Sequence, residues 1–141
     1  MEKSRVTKNA YLVDGHRIAS DRINELDDNE IFVFGSNVQG YHGGGAAWFA
    51  HKHLGAQWGV GEGLTGRTYA LPTMEGMAPL AVAVSKFIDC ARQHPEYTFL
   101  VTAVGCGIAG YSPNEIAPLF REATELTNVY LPQVFIDILF Q

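Results

Sequence analysis

Short continuous apolar runs alternate along the chain with longer segments in which apolar residues recur every three or four positions. Ala10-Tyr11-Leu12-Val13 before Asp14-Gly15 reads as a strand entering a turn, and Ser20-Asp21 predicts the cap of a short helix running to Leu26. Ile31-Phe32-Val33-Phe34 has the length and continuity of a central strand buried on both faces. Ala46 to Leu54 carries two to three helical turns of apolar spacing, which Gly55 would terminate. Arg67 to Leu71 predicts another strand, before Pro72. From Pro79, the steps Leu80, Val84, Phe87, Ile88 and Ala91 predict a helix that Pro95 forbids to continue. Tyr97 to Val104 is the strongest strand signal. Ser112-Pro113-Asn114-Glu115 puts Ser at the N-cap, Pro at the first helical position and Glu at the third, with Ile116, Leu119, Phe120, Ala123 and Leu126 at helical spacing behind them. Asn128 to Leu131 suggests a last strand, and Gln133 to Phe140 is an apolar tail without an assigned element. Strands alternating with helices imply an α/β fold with a largely parallel central sheet.

Composition narrows this picture. The 141 residues fit a single domain, 1–141, and 47% hydrophobic with 18% charged residues is too apolar and too weakly charged for a disordered chain. The net charge of −5 argues against a nucleic-acid or anionic-membrane partner, both of which call for basic surface. Two cysteines, Cys90 and Cys106, are too few for a disulfide scaffold, so a reducing cytoplasm is the expected compartment. Met1 to Ala10 contains no apolar signal core, and the longest uncharged run, Ile31 to His51, is broken by Asn37, Gln39, His42 and glycines, too polar for a bilayer.

Glycine placement carries the chemistry. Ten of the 15 glycines lie between Gly35 and Gly66, where the only charged residues are Lys52 and Glu62. Two glycine-rich loops, Gly35 to Gly45 and Gly105 to Tyr111, each leave a strand and enter a helix, the position at which ligands collect in open α/β sheets. Without Cβ atoms such loops bring backbone N–H groups close to phosphate oxygens, and a following helix adds attraction. A diphosphate can be held this way without Lys or Arg, in keeping with the acidic composition. Glycines that merely make tight turns are the plain alternative for either loop alone. Neither loop is a dinucleotide fingerprint or a P-loop.

These residues resemble a known family. Ile31-Phe32-Val33-Phe34-Gly35-Ser36-Asn37 with Gly43-Gly44-Gly45-Ala46-Ala47 is similar to the macrodomain strand, its Asn-containing turn and the triple glycine that opens a helix. Phe99 to Tyr111, with Gly105-Cys106-Gly107-Ile108-Ala109-Gly110-Tyr111, is similar to the macrodomain strand and its diphosphate loop. The resemblance, of a divergent bacterial or phage-type branch, implies a three-layer α/β/α sandwich with a mixed, largely parallel sheet, and ADP-ribose or a related nucleotide diphosphate as ligand. It further implies that Asn37 and Gly43, Gly44 and Gly45 meet the distal ribose. By the same resemblance Gly107, Ile108, Ala109 and Gly110 wrap the diphosphate, flanked by Gly105 and Cys106, and Tyr111 supplies an aromatic wall. Asp21 is the nearest counterpart of the carboxylate that recognises adenine, at a spacing from Asn37 slightly longer than the family's. The acidic residue that hydrolytic members place after the triple glycine is absent, since Ala46-Ala47-Trp48 stand there.

Other candidates are weaker. His42 is the leading candidate for general acid or base, with Glu62 as a candidate base on the second glycine loop; an ordinary loop histidine and a solvated carboxylate are the alternatives. Cys106 reads as structural rather than as a thiolate nucleophile. His51 and His53 diverge on a helix, so no metal site is expected, and no cofactor is implied. The expected function is binding of an ADP-ribose-class small molecule. The alternatives are an ADP-ribosylhydrolase or ADP-ribose phosphatase, and an assembly or phage-associated protein that keeps the fold without ligand. Oligomeric state is open.

Overall fold

Asp14 and Gly15 both adopt left-handed backbone, φ 51° and 82°, the conformation that a two-residue hairpin turn with strand-compatible twist requires. They join β2 (Ala10–Val13) to β3 (His16–Ala19), with Val13 paired to His16. A further strand, β1 (Lys3–Thr7), pairs antiparallel with β2. Its residues are almost all exposed, so it lacks the one-sided apolar alternation by which a strand is read from sequence. A computed structural model describes residues 2–141.

The remaining elements are β4 (Glu30–Ser36), α1 (Gly45–His53), β5 (Gly63–Thr65), β6 (Thr68–Pro72), α2 (Met77–Gln93), β7 (Thr98–Val101), α3 (Pro113–Ile116), β8 (Val129–Pro132) and α4 (Gln133–Leu139). The eight strands form one mixed sheet in the order β1-β2-β3-β8-β7-β4-β6-β5. β3, β8, β7, β4 and β6 run parallel, whereas the hairpins at the two edges pair antiparallel. Alternation along the central strands divides the core. Ile31, Val33, Phe99 and Val101 pack with Phe87 of α2, Phe120 and Phe135 of α4. Phe32, Phe34, Ala70 and Leu100 pack with Ala50 and Leu54 around α1.

Two expected helices differ. No helix spans Ser20 to Leu26. Side chains hold the end of that segment: Asn9 Nδ2 donates to the Glu25 carbonyl at 2.8 Å and the Asp27 N–H donates to Glu30 Oε1 at 2.8 Å. After Ser112 the Glu115 carboxylate does accept the Ser112 N–H at 3.0 Å, yet the α-helix lasts only to Ile116 and continues as a 3-10 segment over Ala117–Glu125. Pro118 supplies the reason: it has no N–H for the Asn114 carbonyl, so the α ladder is broken there although Ala117 keeps helical dihedrals, φ −50° and ψ −43°. The tail without an assignment forms α4, burying Phe135, Ile136 and Leu139.

The N-terminal hairpin is tied to the sheet by a buried carboxylate. Glu30, 1% exposed, accepts from Thr7 Oγ1 at 2.7 Å, Asn9 Nδ2 at 2.9 Å and the Asp27 N–H. A buried charge is tolerable when its lone pairs are filled in this way.

Candidate functional site

Because five adjacent strands run parallel, the segments that follow β3, β4, β6, β7 and β8 all emerge at one edge of the sheet. The loops after β4, β6 and β7 enclose a cavity of about 480 Å³. Asn37, Gly43, Gly44, Gly45, Gly105, Gly107, Ile108 and Ala109 line it, so most of the two sequence-predicted loops converge on one space.

Sequence reasoning missed the third wall, Thr73 and Met74 after β6 and Thr102 to Val104 after β7. The signal was available: Pro72 ends a strand and a helix follows at Met77, which makes Thr73 to Gly76 a third loop of the same strand-to-helix kind. Thr73 donates its N–H to the Ser36 carbonyl at 2.9 Å, and the Thr102 hydroxyl donates to the Val33 carbonyl at 2.8 Å. Both threonines brace the exit of β4, from which the first glycine loop springs.

The glycines fall into two physical classes. In one class a side chain would collide with neighbouring backbone. A Cβ on Gly40 would overlap Gly59 and Val60, and one on Gly61 would overlap the Asn37 and Val38 carbonyls. The Gly59 N–H also donates to the Gly40 carbonyl at 2.9 Å. The segment Gly59 to Gly66 therefore clamps the Gly35 to Gly45 loop from behind and ends in the small hairpin β5–β6.

In the other class nothing crowds the glycine. A Cβ on Gly43, Gly44 or Gly107 would meet no atom within 4 Å, and none of the three has left-handed backbone. Neither packing nor conformation within the chain calls for glycine there. The N–H groups of Gly43 to Ala47 and of Gly107 to Ala109 find no acceptor among the described residues. The first set opens α1, which adds the positive end of a nine-residue helix. The second loop gains no such help, because α3 is a single turn and the Ser112 N–H is occupied by Glu115.

Asn37 lines the cavity, but its amide is engaged: Nδ2 donates to the Tyr41 carbonyl at 3.1 Å and Oδ1 accepts the Tyr41 N–H at 3.0 Å. It closes the loop Asn37 to Tyr41 on itself and leaves one Nδ2 proton to spare. Asp21 lies in a second cavity of about 390 Å³, shared with Phe32, Phe49, Ile23 and Pro132, that adjoins the first through Gly45, Ala46, Thr102 and Ala103.

The other candidates sit elsewhere. His42 is fully buried under the loop, edge-on to Phe34 at 5.2 Å between ring centroids. Its Nε2 donates to the Gln57 carbonyl at 2.9 Å, and its Nδ1 has no partner among the described residues. Since a carbonyl only accepts, Nε2 carries the proton. Glu62 is exposed and outside the cavity lining. Cys106, Gly110 and Tyr111 also lie outside the lining. Tyr111 turns inward against the core, beneath Gly105. Burial, with Glu115 in support, pushes the Cys106 thiol above its ordinary range, the opposite of an activated thiolate.

The main cavity thus holds no carboxylate, imidazole, thiol or amine among its described lining residues. No cluster of three or more His, Cys, Asp or Glu suited to a metal ion occurs among the described residues. Nor is any described helix long and apolar enough to cross a membrane. No family model, curated protein or solved structure matches this chain.

Proposed function

We propose that the protein binds ADP-ribose or a related nucleotide diphosphate, as a macrodomain-like α/β/α sandwich whose cradle is made of backbone amides. The observation that carries this reading is the coincidence of free N–H groups with unexplained glycines. Gly43, Gly44 and Gly107 have open space where a Cβ would sit, and unpaired amides from both loops border the same cavity. Phosphate oxygens supply acceptors for those amides and occupy the space that side chains would fill. The adjoining cavity supports the nucleoside end: Phe32, Phe49 and Pro132 give apolar walls for a base, and Asp21 gives one acceptor for an exocyclic amine.

Binding is favoured over hydrolysis. A hydrolase needs a general base within hydrogen-bond reach of the attacking water, and the side chains of the lining offer only hydroxyls, the Asn37 amide and apolar atoms. Calorimetric titration with ADP-ribose tests the reading: saturable binding is expected, weakened by Gly107→Glu, and absence of heat with any nucleotide diphosphate contradicts it.

A further inference from the structure

Tyr41 stands at the mouth of the main cavity, 61% exposed, with one face stacked on Trp58 at 5.9 Å between centroids and 18° between planes. Trp58 is itself 52% exposed and is gripped from behind by His51 and His42, edge-on at 5.4 and 6.1 Å. The Asn37 amide pins the Tyr41 backbone from both sides, so the pair is held ready rather than free to collapse inward. Two large aromatic rings kept in place and in water, with no hydrophobic cluster beneath the open face of Tyr41, lack a structural reason within the chain. Met74 and Ile108, 48% and 88% exposed, line the same cavity.

The position of this pair sets what it could meet. Across the sheet edge the Asp21 cavity lies on the β3–β8 side, the free amides lie over β7 and β4, and the Tyr41–Trp58 pair lies toward the β6–β5 side, since the Gln57 N–H beside Trp58 donates to Thr65 Oγ1 of β5 at 3.1 Å. A ligand whose base fills the Asp21 cavity and whose phosphates meet the amides therefore directs its far end at Tyr41.

We propose that Tyr41, backed by Trp58, is a stacking platform for a second planar ring carried beyond the phosphates, so that the preferred ligand is a dinucleotide diphosphate rather than a nucleotide sugar. This rests on the binding reading above. A pre-positioned aromatic face stacks on a planar ring at little ordering cost, and a positively charged ring gains further from the π-electrons.

The experiment compares ADP-ribose with NAD, the same skeleton bearing a pyridinium ring on the distal ribose, on the unmodified protein, on Tyr41→Ala and on Tyr41→Phe. The expected result is NAD binding about tenfold or more tighter than ADP-ribose, a span set by ring-stacking energies. Tyr41→Ala should abolish that preference, bringing the two affinities together, and Tyr41→Phe should retain it. Equal affinities for the two ligands, or equal weakening of both by Tyr41→Ala, overturn the stacking platform and leave the cradle standing. Failure of both ligands to bind the unmodified protein overturns both.

Discussion

Replacing Gly107 by alanine separates a glycine kept for a ligand from one kept for the fold. Its added Cβ meets nothing within 4 Å, and its backbone lies outside the left-handed region. The folded state therefore bears no new strain, while the unfolded chain loses freedom, a gain of about 0.4–1 kcal/mol. At this chain length that raises Tm by about 1–3 °C. Binding should move the opposite way. A methyl in the cradle keeps a phosphate oxygen off its amide, and one lost hydrogen bond to a charged group costs about 1.5–3 kcal/mol, or about 10- to 150-fold in Kd. Gly61→Ala is the contrasting variant. Its Cβ would lie 2.8 Å from the Val38 carbonyl oxygen and closer still to that of Asn37, and forcing the loops apart should cost about 1–3 kcal/mol. Thermal unfolding followed by circular dichroism, paired with titration calorimetry on each variant, reads both effects. A Gly107→Ala protein that melts several degrees lower, or that binds ADP-ribose as tightly as the parent, would refute the assignment of Gly107 to a ligand.

Three further outcomes follow from the geometry. Asn37→Ala removes both bonds to the Tyr41 backbone, so amide hydrogen exchange at Tyr41 should speed up and ADP-ribose affinity should fall, with Asn37→Asp, which keeps only the acceptor, in between. Glu30→Ala strands the buried Asn9 donor and the half-buried Thr7 hydroxyl and should lower stability by about 2–4 kcal/mol in urea unfolding; a loss under 1 kcal/mol would contradict the network. Burial pushes the Tyr69 and Tyr130 hydroxyls and the Cys90 and Cys106 thiols to pKa values above their ordinary ranges, making them weaker acids in the folded chain. The unfolded chain then gives up those protons first, so their contribution to stability is whole at neutral pH and declines above about pH 8.5, more steeply near pH 10. A Tm that stays flat through pH 10.5 would argue against it.

Much of the scaffold was legible because burial is regular where the sheet is two-sided. Ile31 to Phe34, Arg67 to Leu71 and the Leu80 to Ala91 spacing announce β4, β6 and α2. β1 was not legible, since an exposed edge strand of sequence Lys-Ser-Arg-Val-Thr carries no buried face to reveal it. Pro118, in the middle of an apolar helical pattern, is the local sign that the segment after Ser112 leaves α geometry, a sign that helical spacing alone does not register. At the site, sequence identified both glycine loops but could not distinguish their uses. Gly40 and Gly61 serve close backbone approach between segments some twenty residues apart, a relation only tertiary structure displays. His42, attractive beside the triple glycine, is fully buried, and its Nε2 bond to Gln57 ties the loop to its clamp.

The central claim, that amides of two glycine loops hold a nucleotide diphosphate, is tested most directly by following backbone amide resonances while ADP-ribose is added to the isotopically labelled protein. The account predicts large downfield shifts confined to Gly43 through Ala47 and Gly107 through Ala109, with smaller changes at Asp21 and Phe49. Unmoved resonances at both loops with saturating ADP-ribose, or shifts concentrated elsewhere on the surface, would contradict it.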